Sequence, residues 1–252
     1  MLHFATGEVA VFTRRSPQKD TVNEDCAALI PYSDDAGVLV ITDGLGGQPN
    51  GETASATAIT CMKQAITQAI AKALPLRDAI LDGIERANRL ILNQASGAAT
   101  TLALVEIQAN IIRPYHVGDS MILLTGQRGK TKLQSVSHSP VGYAVESGLL
   151  DVDEAIHHEE RHLISNVVGA QDMSIEIGSA IKMAQRDTLI LASDGLFDNL
   201  YLDEIINTIR IHPLHQVAKQ LLALTEQRMN AENTELPCHP DDLTFILFRQ
   251  KS

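Results

Sequence analysis

Acidic residues stand at the ends of several predicted strands. They fall in five clusters, namely Glu24-Asp25, Asp43, Asp119, Asp194 and Asp241-Asp242. A single aspartate after a strand commonly serves as a turn residue or a helix cap, but the repetition at strand ends favours a shared site. Carboxylate oxygens without clustered histidines or cysteines are ligands for Mg²⁺ or Mn²⁺ rather than for zinc. The pattern therefore predicts a centre for divalent metal ions.

A hairpin sets two of these acids opposite each other. Asp25 and Asp43 are each nine residues from Asp34, which lies in the predicted turn. Residues equidistant from a tight turn face each other across the strand pair, with Cβ atoms about 5 Å apart. Two ionised carboxylates this close repel each other unless a proton or a cation neutralises them.

A second hairpin carries the next acid. Two predicted strands are joined at Gln108-Ala109-Asn110, and the same counting places Asp119 opposite Thr100. In the first hairpin, Asp43 continues into Gly44-Leu45-Gly46-Gly47. Glycines there allow a sharp turn that presents backbone carbonyls to an ion. The segment is not a Walker phosphate loop, because the GxxxxGK[ST] pattern is absent from the sequence.

The rest of the pattern predicts the elements that position these acids. Apolar or β-branched runs indicate strands, and apolar residues at three- and four-residue spacing indicate helices. Strands are expected near 9–13, 26–32, 38–42, 100–107, 111–117, 121–125, 132–136, 188–192 and 243–248, with helices near 51–73, 80–91, 201–210 and 214–229. Paired helices between groups of antiparallel strands predict a layered α+β domain with sheets inside and helices outside.

Composition excludes several classes of partner. The chain has 252 residues and a formal net charge of −11, which argues against binding to nucleic acid or to an anionic membrane surface. No apolar run is long enough to span a bilayer, and the first residues lack a signal-peptide layout. Three scattered cysteines form no disulfide framework, which favours the cytoplasm. A monomer is the default expectation.

Six motifs occur in one order over nearly the whole chain, and together they resemble those of the PPM-type (protein phosphatase 2C) metal-dependent serine/threonine phosphatases. They are Val22-Asn23-Glu24-Asp25, Asp43-Gly44-Leu45-Gly46-Gly47-Gln48, Ala99-Thr100-Thr101-Leu102, His116-Val117-Gly118-Asp119-Ser120, Ala192-Ser193-Asp194-Gly195-Leu196-Phe197-Asp198 and Asp241-Asp242-Leu243-Thr244. The chain is most similar to compact bacterial members. The resemblance implies a four-layer α-β-β-α sandwich, in which two antiparallel sheets are flanked by pairs of helices. It also implies one domain over residues 1–252, with a flap segment at about 138–165.

The resemblance further implies a role for each acid. Asp43 would bridge two ions, Gly44 would offer its backbone carbonyl, and Asp194 and Asp241 would complete the ligation of one ion. Glu24 and Asp25 would hold metal-bound waters, while Asp119 would serve a weaker third ion together with Asp194. Thr100 and Thr101 would support the site, and residues 166–169 would form the strand that returns from the flap segment.

The implied activity is hydrolysis of phosphoserine and phosphothreonine in proteins. The cofactors would be two Mn²⁺ or Mg²⁺ ions with a possible third, and the nucleophile a metal-bridging water or hydroxide that Asp25 and Asp43 hold and activate. Two such ions lower the pKa of a shared water and clamp phosphoryl oxygens. The partners would be a phosphorylated protein and an opposing serine/threonine kinase.

The chain departs from the family pattern at the position of the phosphate-binding arginine. That position holds Asp20, and the adjacent Lys19 is a candidate replacement for binding the substrate phosphate, the alternative being a solvated surface lysine. His138 is expected to be structural. Because the arginine is missing, a catalytically impaired phosphatase-like regulatory or binding protein stays open as an alternative function. A metal-dependent phosphoesterase for small molecules is a third possibility.

Overall fold

The fold is described from a computed structural model that covers residues 2–45, 50–94, 97–231 and 235–251. The strands are β1 (Leu2–Phe4), β2 (Gly7–Arg14), β3 (Asp25–Pro31), β4 (Ala36–Asp43), β5 (Leu102–Gln108), β6 (Ile111–Val117), β7 (Met121–Thr125), β8 (Thr131–Gln134), β9 (Glu176–Ile177), β10 (Ile181–Lys182), β11 (Thr188–Ala192) and β12 (Leu243–Gln250). The helices are α1 (Gly51–Lys72), α2 (Leu76–Asn93), α3 (Pro140–Glu146), α4 (Val152–Ala155), α5 (Asp194–Phe197), α6 (Leu202–Ile209) and α7 (Leu214–Met229). Gly46 and Gly47, which were expected to shape the turn after Asp43, lie outside the described residues.

Two antiparallel sheets form the centre of the molecule. The first has the order β1-β2-β12-β11-β7-β8, and the second has the order β10-β6-β5-β4-β3, with β9 paired to β6. Helices α1 and α2 cover the outer face of the second sheet, and α6 and α7 cover the outer face of the first. The four-layer α+β architecture expected from the sequence is therefore confirmed.

The side chains of β4 show how the layers are held together. Leu39 and Ile41 point into the core between the two sheets, whereas Val38 and Val40 point into the core beneath α1 and α2. This alternation follows from the pleat of a strand. Because both faces of β4 are buried, its sequence is a continuous apolar run.

The register of the first hairpin is the one that counting predicted. Asp25 pairs with Asp43 across β3 and β4, and Pro31 pairs with Gly37 next to the turn. The first turns of α1 pack closely on this hairpin, since Ala54 and Ala58 are buried and leave no bulky side chain between helix and sheet. The strands therefore bring the two carboxylates to one edge of the sheet.

Two expectations for the neighbouring loops were wrong. The β5–β6 ladder ends at the pair Leu102–Val117, so that Thr100 does not pair with Asp119 and instead forms isolated bridges to Gly44 and Val168. Residues 166–169 form no strand beyond that single bridge at Val168. Val168 instead exchanges backbone hydrogen bonds with Thr100, and the Leu45 N–H donates to the carbonyl of the preceding Ala99.

The flap segment, residues 138–165, contains the short helices α3 and α4. Ser139 caps α3 by accepting a hydrogen bond from the Gly142 N–H (2.9 Å), and Asp151 caps α4. Most of the side chains between Tyr143 and Glu160 are at least partly exposed. No helix in the described ranges is long and apolar enough to cross a membrane.

Candidate metal centre

The facing pair Asp25 and Asp43 forms the middle of the site. Asp25 is buried at the start of β3, and Asp43 is partly accessible at the end of β4. Burial raises the pKa of the Asp25 carboxyl to about 7. Burial, followed by the charge of Asp25, raises the pKa of Asp43 well above its usual range. The pair is therefore an electrostatically unfavourable arrangement that a proton or a cation stabilises.

Hydrogen bonds join this pair to the other sheet. The Ser193 hydroxyl, directly after β11, donates to Oδ2 of Asp25 at 2.8 Å. The same Ser193 oxygen accepts from the Thr244 N–H of β12 at 3.1 Å. These contacts link β3 of the second sheet to β11 and β12 of the first, so both sheets meet at the site.

Three further acids converge on the pair from the first sheet and its loops. Burial and the charges of Asp198 and Asp119 raise the pKa of Asp194 well above its usual range. Burial and Asp198 raise the pKa of Asp119 to about 7. The nearby charge of Asp241 contributes to the raised pKa values of Asp43, Asp119 and Asp194. The site therefore concentrates negative charge from separate parts of the chain.

The donor set fits divalent cations. Oδ1 of Asp25 and Oδ1 of Asp119 are buried, and neither has a hydrogen-bond partner among the described residues. A buried carboxylate oxygen without a partner is costly, so such groups require an ion, a proton or water. The converging groups offer carboxylate oxygens, which suit Mg²⁺ or Mn²⁺.

Gly44 and Glu24 are placed beside this pair by the first turn of α1. A Cβ on Gly44 would collide with the backbone of Gly51, and a Cβ on Gly51 would contact the Glu24 carboxylate. The Gly44 N–H donates to the Glu24 carbonyl at 3.1 Å. Only glycine at these two positions allows the loop, the acid and the helix N-terminus to approach this closely.

Thr100 and Thr101 hold the backbone of Asp43. The Thr100 hydroxyl and the Thr101 N–H both donate to the Asp43 carbonyl, each at 2.8 Å. The Asp43 N–H donates in turn to the Thr101 hydroxyl at 3.1 Å. This is the supporting role expected for the two threonines.

Lys19 lies within the acid cluster. Its Nζ is 2.6 Å from Asp241, 3.4 Å from Asp242 and 3.5 Å from Glu24. These contacts, and the hydrogen bond to Asp241 in particular, outweigh burial and raise the pKa of the ammonium group. Lys19 is thus a fixed positive charge beside the carboxylates and not a solvated surface lysine.

Asp242 belongs to the last sequence motif, but the sequence alone did not indicate its function. It is 2% exposed, and its two oxygens accept hydrogen bonds from the Ser16 N–H (2.7 Å) and the Glu24 N–H (2.9 Å). A Cβ on Gly195 would collide with the Asp242 carbonyl. Asp242 therefore fixes the loop that carries Lys19 and Glu24.

Asp198 and Arg161 extend the site toward the flap segment. The Arg161 Nε lies 3.0 Å from Oδ2 of Asp198. Burial raises the pKa of Asp198 to about 6, and the guanidinium opposes that rise. Asp198 has a signal in the sequence, because it ends the motif that contains Asp194. Arg161 has none, because the flap segment shows no clean period.

A separate cluster of His116, His138 and Glu176 has metal-like spacing but the wrong protonation for a metal. Nδ1 of His138 accepts hydrogen bonds from the Gly118 N–H (3.1 Å) and from the Asn166 amide (2.8 Å). The proton of neutral His138 must therefore sit on Nε2, which lies 3.0 Å from Glu176 and donates to it. A metal ligand would need a free lone pair at that nitrogen. His138 is thus structural, as expected.

Comparison with known proteins identifies the family. Residues 14–236 match the family model described as protein phosphatase 2C. Protein phosphatase PhpP of Streptococcus pneumoniae is 32% identical over 198 residues, which cover 75% of this chain and 78% of that protein. The solved structure of the serine/threonine phosphatase Stp1 from Staphylococcus aureus has a TM-score of 0.84 at 24% identity, covering 100% of this chain and 98% of that one. The catalytic domain of the phosphatase PstP, in complex with 2 manganese ions, has a TM-score of 0.72 at 22% identity, covering 96% of this chain and 97% of that one.

The chain therefore belongs to the protein phosphatase 2C family, as the six motifs implied. It is a metal-dependent protein phosphatase, and its acid cluster occupies one end of the sandwich where both sheets meet.

Proposed function

We propose that this phosphatase removes phosphate from phosphoserine and phosphothreonine in proteins by direct attack of water at the acid centre. The observation that carries the proposal is the facing pair Asp25–Asp43, with the unpartnered carboxylate oxygens of Asp25 and Asp119 beside it. Divalent ions, when bound, lower the pKa of a coordinated water and neutralise charge on the phosphate.

The position of each acid suggests whether it would bind a metal ion or orient water. Asp43, the Gly44 carbonyl, Asp194 and Asp241 would hold the two principal ions. Glu24 and Asp25, which border Asp241 and Asp43, would orient ligated water. Asp43 and Asp25 are the acids nearest the middle of the site, so we assign to them the task of holding the attacking water.

Asp119 would complete a weaker third site together with Asp194. The supporting observations are the buried, unpartnered Oδ1 of Asp119 and the mutual charge effects of the two carboxylates. Either Mn²⁺ or Mg²⁺ suits a donor set made of oxygen.

Lys19 would bind the substrate phosphate at the edge of the centre. Its ammonium group already lies among Glu24, Asp241 and Asp242, so it needs little movement to reach an anion bound beside these acids. An ammonium group binds phosphate as a point charge, without the fork of the arginine that the family pattern usually places here.

The wider setting follows from the same proposal. A serine/threonine kinase would supply the phosphorylated substrate, and the chain would act as a monomer in the cytoplasm, where its three free cysteines stay reduced. The flap segment would form one wall of the substrate site, within a single catalytic domain over residues 1–252.

An assay of the parent and of Asp194→Asn tests the proposal. With Mn²⁺ present, the parent should hydrolyse phosphothreonine peptides faster than phosphotyrosine peptides, and Asp194→Asn should lose nearly all turnover. Chelation of divalent ions should abolish the activity of the parent. Full activity in chelator would contradict the metal mechanism, and nucleotides hydrolysed faster than any phosphopeptide would point to a small-molecule phosphoesterase. A folded but inactive parent would support the impaired, regulatory alternative.

A further inference from the structure

A cavity of about 350 Å³ opens between the flap segment and the end of the first sheet. One wall is formed by α3, α4 and the residues just before α3, and the opposite wall by α5 and the first residues of α6. Its lining is mainly apolar and includes Met121, Val136, Val145, Ile156, Phe197 and Leu202. These six side chains are only partly buried, so they leave apolar surface open to an occupant.

The cavity is continuous with the metal centre. Asp119, Asp194 and Asp198 line it as well, and Arg161 lines it while paired to Asp198 at 3.0 Å. A molecule whose phosphate sits at the acids therefore has its neighbouring atoms at the mouth of the cavity. This continuity favours another part of the phosphorylated substrate as the occupant.

The size and lining of the cavity restrict what that part can be. Small-molecule sites commonly occupy roughly 300–1,000 Å³, so this cavity is at the small end and suits one or two side chains. Apolar walls favour an apolar side chain, because burial of a charged group there would be costly. An extended peptide advances about 3.3 Å per residue, so a side chain a few residues from the phosphorylated one can reach the cavity.

We propose that this cavity binds an apolar side chain of the substrate protein, located within a few residues of the phosphorylated serine or threonine. The cavity is then a determinant of substrate specificity that sits outside the reacting groups. This inference rests on the proposed function, since it assumes that the phosphate binds at the acid centre.

A peptide series on the Mn²⁺-loaded parent provides the first test. Phosphothreonine peptides would carry leucine, alanine or glutamate in turn at each of the three positions on either side of the phosphorylated residue. We expect one position at which leucine raises kcat/KM over alanine by roughly 3- to 10-fold, with glutamate below alanine. Equal kcat/KM for leucine and alanine at all positions would overturn the proposal.

Variants of the cavity wall provide the second test. Val145→Thr keeps the side-chain shape, Ile156→Thr also removes the terminal methyl group, and each introduces a hydroxyl group. Leu149→Ser is a matched control because Leu149 is 84% exposed and does not line the cavity. The two threonine variants should lose the leucine preference while p-nitrophenyl phosphate turnover stays at the parental level. The control should retain both. Retention of the full leucine preference in folded Val145→Thr and Ile156→Thr would overturn the proposal.

The failure of the proposed function would be visible separately. A parent that hydrolyses neither p-nitrophenyl phosphate nor any phosphopeptide with Mn²⁺ would contradict the enzymatic proposal. Fluorescently labelled versions of the leucine and alanine peptides, whose binding to that parent is measured by anisotropy, would still test the cavity. Tighter binding of the leucine peptide that is lost in Val145→Thr would support it, and equal binding of leucine and alanine peptides would contradict it.

Discussion

The acid centre and the flap segment lie side by side but are built differently. In the acid centre, Asp25 and Asp43 stand at the ends of paired strands. Asp25 accepts a hydrogen bond from the Ser193 hydroxyl, and the Asp43 N–H donates to the Thr101 hydroxyl. In the flap segment, two helices of 7 and 4 residues carry side chains such as Leu149, which is 84% exposed. The reacting groups are therefore positioned by sheet register, whereas the surface that would meet the substrate can change without disturbing that register.

Removal of the central carboxylate should have the largest effect. Asp43→Asn keeps the side-chain shape and the backbone bonds to Thr100 and Thr101 but removes a charge that the ions need. Turnover of p-nitrophenyl phosphate with Mn²⁺ should fall by well over the roughly 10- to 100-fold that loss of an outer-shell metal partner costs. The control variant Asp34→Asn, in the turn of the same hairpin, should retain the turnover of the parent. Near-normal kcat in Asp43→Asn would contradict the assignment of the acid centre as the metal-binding catalytic site.

The acid centre should also make the metal-free protein sensitive to pH. Asp25 and Asp119 have pKa values of about 7 in the folded chain and an ordinary value of 3.8. Below about pH 4 both states hold these protons, and the contribution to stability is fully present. As pH rises toward 7, the unfolded state releases them first, so the free energy of unfolding falls.

Thermal unfolding of the chelated protein should measure this effect. Between pH 5 and pH 8 each of the two carboxyls should lose roughly 2.6 kcal/mol of stabilisation. At about 2–4 °C per kcal/mol for a domain of this size, we expect Tm to fall by roughly 5–10 °C for each carboxyl. Mn²⁺ should flatten the dependence, and metal-free Asp25→Asn should show a smaller slope than the parent. Identical slopes in Asp25→Asn and the parent would show that the Asp25 carboxyl does not cause the pH dependence of stability.

The sequence predicted the parts of the site that regular spacing controls. Counting from Asp34 placed Asp25 opposite Asp43, because a tight antiparallel hairpin has a single register compatible with its buried faces. The order of strands and helices likewise predicted the layers, since apolar periodicity reports which faces are buried. The family motifs supplied the separate acids that no local spacing connects.

Contacts between distant loops were beyond sequence reasoning. The bridges of Thr100 to Gly44 and Val168 replace a ladder that simple counting would extend. The pairing of Arg161 with Asp198 joins residues 37 positions apart, without periodicity to reveal it. Such contacts depend on where the sheets and loops pack, which a single sequence does not encode in any local pattern.

Lys19 tests whether the acid centre includes a substrate-binding charge. Lys19→Ala should raise KM for a phosphothreonine peptide by roughly 10-fold, because a hydrogen bond to a charged group is worth about 1.5–3 kcal/mol. Lys19→Arg should restore part of the loss, and Lys63→Ala on the exposed face of α1 should change nothing. An unchanged KM in Lys19→Ala would mean that Lys19 serves only to balance Glu24, Asp241 and Asp242.

The smallest effect should come from the junction between the two regions. His138 starts the flap segment, and its Nδ1 accepts from Gly118, next to Asp119, and from Asn166, just beyond the flap segment. His138→Leu would leave both donors without this acceptor, at a cost of about 1–3 kcal/mol. His138→Asn would return an acceptor oxygen near the position of Nδ1 and should recover much of the lost stability.

Measurement of Tm together with kinetics separates the possible results at this junction. His138→Leu should lower Tm by a few degrees and change kcat/KM for a phosphopeptide by less than about 5-fold, with p-nitrophenyl phosphate turnover nearly unchanged. Equal losses of Tm in the asparagine and leucine variants would show that these hydrogen bonds do not hold the junction. Loss of p-nitrophenyl phosphate turnover in a folded His138→Leu would contradict the view that sheet register alone positions the acid centre. The acid centre would then depend on the flap segment for its geometry.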